Sequence, residues 1–311
     1  MKGVAILFVV IGHVFLFSYG NTDNSVDHML TIFHMPVFFY ISGFLAYRST
    51  LTFEEWAQRL WKKTHSLLFP YIVFAGLYCF FFRKNFFHLL AVGGAEYWFM
   101  YVLFLLTLFF LVFEQVTKHI KHTLIYVAAW LLPYVLMIVI QRHYGEIGGG
   151  IFAVNQIVAY YRFYLLGYLC KKYVKLNEFV FNNKYVYAVG FVMFFARWYW
   201  HNGVNIMVSF LGITGSIIIL QYFFATNDQQ ESRPLKLLAY LGQNSLEIYL
   251  IHYFFLPDLS VFIRPYLEVN NGFVWQLSLA VLLTIPITAA SLFVGAIIKQ
   301  NKLLVWLMFG K

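Results

Sequence analysis

Long apolar runs separated by short polar breaks fill the chain from end to end. The runs lie near 3–19, 30–47, 66–82, 97–113, 123–140, 155–170, 185–200, 204–224, 236–256 and 273–297. Each is close to the roughly 20 residues at which an apolar helix crosses a hydrocarbon core. The pattern predicts an all-α integral membrane protein with about ten transmembrane helices in one polytopic domain, 1–311. Only His201-Asn202-Gly203 separates the seventh run from the eighth. The segment 49–65 differs, because Phe53, Trp56, Leu60 and Trp61 alternate with Arg59, Lys62 and Lys63. That pattern predicts an amphipathic helix lying on the membrane interface. The run Leu303–Phe309 is too short to span and reads as an interfacial piece or a helix end. Paired broken half-helices of the kind transporters carry are not evident.

Composition removes the soluble alternatives. The 311 residues are 61% hydrophobic and 11% charged, whereas a soluble domain carries about 25% charge. The two cysteines, Cys79 and Cys170, fall inside apolar runs and read as packing residues, excluding a disulfide scaffold or a cysteine-based zinc site. The net charge of +9 does not imply nucleic acid, because no basic stripe alternates with exposed aromatics. It reflects where the cations lie. With the N-terminus inside and ten spans, 16 of the 22 Lys and Arg fall on the inner side. The outer group is Arg83, Lys84, Arg142, Arg162, Arg197 and Arg264. Cytoplasmic loops retain positive charge, so the split predicts both termini in the cytoplasm. The opening Lys2 and its apolar run also mimic a signal peptide. Ser18-Tyr19-Gly20 is a poor small-residue cleavage site, so the first helix is read as retained.

Ionisable side chains inside spans are costly and therefore functional candidates. On this topology His13, His34, Arg162 and His252 share a depth band in the outer half, with Trp98 at the same level and Glu247 nearer mid-depth. A lone intramembrane histidine is usually a hydrogen-bonded packing residue. Three at matched depth, with a carboxylate and an arginine, point instead to proton transfer, for which imidazole has a suitable pKa. Tyr and Trp residues at span ends read as interface anchors. No phosphate-binding loop, nucleophile elbow or His-Glu-x-x-His metal motif is present in the sequence.

The sequence Lys2-Gly3-Val4-Ala5-Ile6-Leu7-Phe8-Val9-Val10-Ile11-Gly12-His13 resembles the opening of the membrane-bound acyltransferase family three, in which a basic residue precedes a histidine by ten positions. Phe33-His34-Met35-Pro36-Val37-Phe38-Phe39-Tyr40-Ile41-Ser42-Gly43-Phe44 resembles its second-helix motif, especially in the fucose O-acetylase-like branch. Further matches are Tyr97-Trp98-Phe99, the run Arg162–Tyr168, and the run Leu241–His252 with its Asn244-Ser245-Leu246-Glu247 core. All occur in family order. The chain departs from the family in carrying Lys2 where arginine is usual, a point charge in place of a bidentate fork. Family members also tend to have residues before this position, which implies a natural start slightly upstream of Met1.

The resemblance implies an inner-membrane enzyme of class 2.3.1 that transfers an acyl group, usually acetyl, from acetyl-CoA to a hydroxyl of a glycan or lipid-linked sugar. On that reading His13 is the general base, and His34 and His252 orient it or the acceptor. Glu247 fixes a histidine tautomer, as carboxylates do in triads. Lys2 seats the acyl-CoA phosphates, and Trp98, Arg162 and Ser42 contact the acceptor. Acyl-CoA is a co-substrate, and no bound metal or prosthetic group is called for. The other expected partners are membrane lipids, with self-association left open. A glycan or lipid flippase, or a small-solute transporter, is the rival class that would also place ionisable groups in spans.

Overall fold

The computed structural model describes residues 2–20, 25–48, 51–91, 95–144, 153–199, 233–270 and 272–311. Among the described residues every regular element is helical. The helices are α1 (Lys2–His13), α2 (Ser25–Ala46), α3 (Phe53–Lys63), α4 (Phe69–Phe82), α5 (Phe86–Ala91), α6 (Trp98–Thr117), α7 (Thr123–Tyr144) and α8 (Val154–Lys172). They continue with α9 (Val174–Asn182), α10 (Lys184–Tyr199), α11 (Arg233–Gln243), α12 (Ser245–Ile251), α13 (Ser260–Val269), α14 (Phe273–Ile298) and α15 (Lys302–Phe309).

Five described helices are long and apolar enough to cross a membrane, and six if one bent pair counts as a single span. They correspond to the predicted runs at 3–19, 66–82, 97–113, 123–140 and 273–297, and the bent pair overlaps the run at 236–256. The run at 204–224 lies outside the described residues. Membrane character is therefore a property of the fold, with five or six spans identified among the described residues.

Two local departures have physical causes. The amphipathic segment does not end before the third run: α3 passes through a π-helical turn at Thr64–Leu68 into α4, giving one apolar helix from Phe53 to Phe82. A capping box of Thr52 and Glu55 starts it, and no residue of α3 is buried. Pro70 sits just beyond the wider turn, which absorbs the ring and the missing N–H that would break a regular helix. The ninth run is not straight either. It is interrupted at Asn244, tightens into a 3-10 turn at His252–Phe255, and then bends by 102° into α13.

The chain forms two compact units interleaved in sequence, with one division falling inside α2. The first comprises Met1–Phe38 and Val174–Gln300. In it α1 packs on α11, α12 and α14. The crossing of α1 with α11 is backbone to backbone, since a methyl on Gly3 would collide with the Leu238 carbonyl. Glycine is what allows so close an approach. The second unit comprises Phe39–Tyr173 and Asn301–Lys311. Its core is aromatic: Phe110 lies 4.5 Å from both the Trp130 and Tyr164 rings, and Trp130 5.1 Å from Tyr168. Tyr164 bonds Thr107 at 3.1 Å, and the Tyr161 hydroxyl donates to the Trp130 carbonyl at 2.8 Å. Cys79 and Cys170 are both free and buried here. The short α15, N-capped by Asn301, packs against α4 as a helix of its own.

Candidate active site

His13 ends α1, and the helix widens into a π-helical stretch over Val14–Tyr19 directly after it. Such bulges release backbone groups from the regular ladder and are frequent at functional sites. Here the Ser18 carbonyl accepts the amide of Leu259, tying the bulge to the turn that follows His252. Against His13 lies His252, where α12 tightens into the 3-10 turn. The rings stack with an interplanar angle of 3° and centroids 5.0 Å apart. His13 Nδ1 and His252 Nε2 are 2.7 Å apart.

The proton positions in this pair follow from its far end. His252 Nδ1 is 2.9 Å from the Ile248 carbonyl oxygen. A carbonyl only accepts, so Nδ1 carries the hydrogen and, in a neutral ring, Nε2 is a bare acceptor. His13 must then donate through Nδ1, which leaves its Nε2 as a lone pair. A proton gained at Nε2 would place an imidazolium against the His252 acceptor, which stabilises it. That is the arrangement a general base needs. His252 is fully buried while His13 is half-buried, so His13 is the more accessible of the two.

His34 is buried on α2, with Nδ1 2.5 Å from the Leu30 carbonyl. The same reasoning leaves its Nε2 as an acceptor. It lies within electrostatic reach of His13. The first unit thus gathers all three sequence-predicted histidines.

Glu247 forms a buried ion pair with a lysine. It is 1% exposed, and its Oε2 lies 2.6 Å from Lys299 Nζ, which also donates to Asn244 Oδ1 at 2.7 Å. The Nδ1 atoms of His252 and His34 both face backbone carbonyls. Gly295 makes room for the carboxylate, because a Cβ there would approach Oε2 to 3.2 Å. Lys2 stands at the opposite end of α1 from His13, with its Cβ 3.4 Å from where a side chain on Gly242 would begin.

Trp98, Arg162 and Ser42 belong to the second unit. Trp98 stacks on Tyr160 at 5.3 Å, and Tyr160 on Phe39 at 4.7 Å. Arg162 is hydrogen bonded with Tyr134, and its guanidinium carbon lies 4.9 Å from the Phe163 ring. Ser42 is half-buried beside Gly43, where α2 crosses α8. This unit also holds an open cleft of about 590 Å³ lined by Arg48, Arg59, Lys62 and Lys63 with Leu45, Leu51, Glu55 and Gln58. On the sequence these cations read as inner-side charge, with Arg59, Lys62 and Lys63 on the amphipathic segment. Arg59 is partly engaged, since it donates to the Leu45 and Ala46 carbonyls at the end of α2.

A family profile described as an acyltransferase domain matches residues 1–294, a range that contains all three histidines, Tyr253 and Glu247. The chain belongs to acyltransferase family three. Nodulation protein NolL of Sinorhizobium fredii is 32% identical over 157 residues, covering 45% of this chain and 42% of that protein. The similarity thus extends over less than half of the relative's length. No solved structure matches the chain.

Two features of this chain escaped sequence reasoning. One is Tyr253, whose hydroxyl lies 3.4 Å from His13 Nε2 and which had been covered by the general reading of span-end tyrosines as anchors. The other is the basic cleft, whose four cations come from α3 and the connection that precedes it. Neither has a signal in hydropathy.

Proposed function

We propose that the protein is an integral membrane O-acyltransferase. It moves an acetyl or other short acyl group from cytoplasmic acyl-CoA to a hydroxyl of an extracytoplasmic or lipid-linked glycan. The observation that carries the reading is the directed chain Ile248 carbonyl, His252, His13, which presents a lone pair at His13 Nε2. A sugar hydroxyl is a poor nucleophile until a base removes its proton, and a thioester has a good leaving group. One positioned imidazole therefore meets the main requirement of the reaction. Membership of the family supports the acyl-transfer class.

In this reading His13 takes the acceptor proton, and His252 orients His13 and shares the charge that develops on it. Glu247 and Lys299 hold α12 to α14, which fixes the helix carrying His252. Lys2 and the cleft of Arg48, Arg59, Lys62 and Lys63 are the basic groups suited to the phosphates of the donor. Trp98 and Arg162 are suited to a sugar, the first by stacking and the second by hydrogen bonding. The inward bias of Lys and Arg supports cytoplasmic termini at the inner membrane, on the same side as the donor.

Mass spectrometry of cell-envelope glycans from cells with and without the gene tests this directly. Loss of an acetyl-sized mass from one glycan class is the expected result. Identical glycan masses together with altered movement of an unmodified glycan would favour the flippase class instead.

A further inference from the structure

We propose that the Tyr253 hydroxyl is the donor that stabilises the oxyanion formed during acyl transfer, an inference that rests on His13 acting as the general base. Once proton directions are fixed from the Ile248 carbonyl, His13 Nε2 has no hydrogen to give. The Tyr253 oxygen 3.4 Å away therefore donates to it. Tyr253 is 3% exposed, so it is not a lipid-headgroup anchor. Its ring lies 4.2 Å from His252 and 4.9 Å from His13, with Phe17 edge-on at 5.7 Å. Contacts on several sides hold the hydroxyl beside the one nitrogen at which the chemistry is proposed, as a preorganised donor requires.

The resting contact is one the acceptor must displace. When a sugar hydroxyl donates to Nε2, the Tyr253 O–H turns from that nitrogen while remaining beside the reacting atoms. The acceptor proton then passes to Nε2, and the acceptor oxygen forms its bond to the thioester carbonyl carbon. The carbonyl π pair moves onto oxygen, and that oxyanion accepts the hydrogen bond of Tyr253. Collapse re-forms the C=O, breaks the C–S bond and sends the thiolate off with the proton from Nε2. The products are the acyl ester and free thiol, and both His13 and Tyr253 end in their starting protonation states. A phenol suits the task because it is a neutral donor, adding no charge to a buried site that already contains a transient imidazolium.

The test uses the full-length protein in lipid nanodiscs, radiolabelled acetyl-CoA, and a deacetylated cell-envelope glycan extract as acceptor. Tyr253→Phe keeps the ring and removes only the donor. Its kcat should fall by about 10²–10³, the loss typical of one oxyanion donor, with KM for acetyl-CoA and the thermal unfolding midpoint unchanged. Replacement of Tyr253 by 3,5-difluorotyrosine keeps the shape and lowers the phenol pKa. That variant should work at neutral pH and lose rate as the pH rises through the lowered value, because a phenolate cannot donate, while the wild type shows no such loss over the same range. A Phe variant with wild-type kcat, or a difluorotyrosine variant with an unaltered pH profile, would remove Tyr253 from the reaction. Should the wild type itself transfer no label, the acyl-transfer reading falls and the Tyr253 role falls with it.

Discussion

At the scale of single residues, the site is organised by a backbone carbonyl. Ile248 fixes the His252 tautomer, His252 fixes that of His13, and a lone pair emerges at the far end of the chain. Removing the middle link tests this order. His252→Ala should lower kcat by about 10–100-fold, the range seen when a group orienting a functional histidine is lost, while leaving donor KM near wild type. Unchanged kcat in a folded His252→Ala protein would break the chain of reasoning at that link. Glu247 makes a different kind of contribution. Its carboxylate is buried and paired with Lys299, so Lys299→Met leaves it without that cation. Breaking a buried pair costs about 3–5 kcal/mol, and the partial exposure of Lys299 places the expected loss at or below the lower end. The double variant Glu247→Met with Lys299→Met should recover most of that loss in thermal unfolding. A double variant no more stable than the single one would show that the pair is not what holds the two helices.

The same scale shows what the sequence made legible. His13, His34 and His252 could be found because an ionisable group inside an apolar run stands out. Tyr253 could not, because a tyrosine at the end of a run has an ordinary explanation. Only the 3-10 turn that follows α12 brings its hydroxyl to His13. Glu247 was noticed for its cost, but its partner lies on another helix, and helical spacing carries no information about that.

At the scale of elements, close crossings and local widening of helices position the residues just described. In the second unit α2 and α8 touch through Gly43 and Gly167, where a side chain would strike the Tyr164 and Tyr40 carbonyls. Gly43→Leu should therefore destabilise the protein by about 1–3 kcal/mol, as overpacking does. Gly76 on α4 has open space around it. Gly76→Ala should be neutral or stabilising by up to about 1 kcal/mol through helix propensity. Thermal unfolding of the two variants side by side separates crossing geometry from a general intolerance of substitution.

Beyond the end of α4, outside the spans, Lys84 Nζ lies 2.6 Å from Glu96, which also accepts from Tyr78. Burial lowers the Lys84 pKa, but the hydrogen bond and charge of Glu96 outweigh it and hold the amine above its ordinary value. A cation with a raised folded pKa adds stability that is complete below the unfolded value and lost as pH climbs through the folded one. Unfolding midpoints should therefore show no contribution from this pair to pH dependence near neutrality. Glu96→Gln should remove a wild-type loss of stability that begins above pH 10.5. An equal alkaline loss in wild type and variant would assign it to another group.

Among the described residues helix existence was legible because apolar runs of membrane length have few alternatives. The turns at Thr64–Leu68, Asn244 and His252–Phe255 were not, because they depend on proline accommodation and tertiary hydrogen bonds that hydropathy does not encode. The bend after Phe255 is the clearest case. An apolar run of uniform appearance folds back by 102°, and the site histidine lies just before the bend.

At the scale of the whole molecule, the proposed reaction needs a cytoplasmic donor and an external acceptor, so orientation carries functional weight. Cysteines introduced next to Lys84 and Asn270 should react with an impermeant reagent from outside intact cells. Those next to Lys121 and Lys175 should react only after permeabilisation. The reverse pattern at either pair would put the basic cleft on the wrong side for acyl-CoA.

The most direct measurement compares kcat for acetyl transfer by wild type and His13→Ala, both shown by thermal unfolding to be folded in nanodiscs. A general base at Nε2 predicts a loss of about 10²–10⁴ in kcat with the unfolding midpoint retained. A folded His13→Ala protein that turns over at close to the wild-type rate would contradict it.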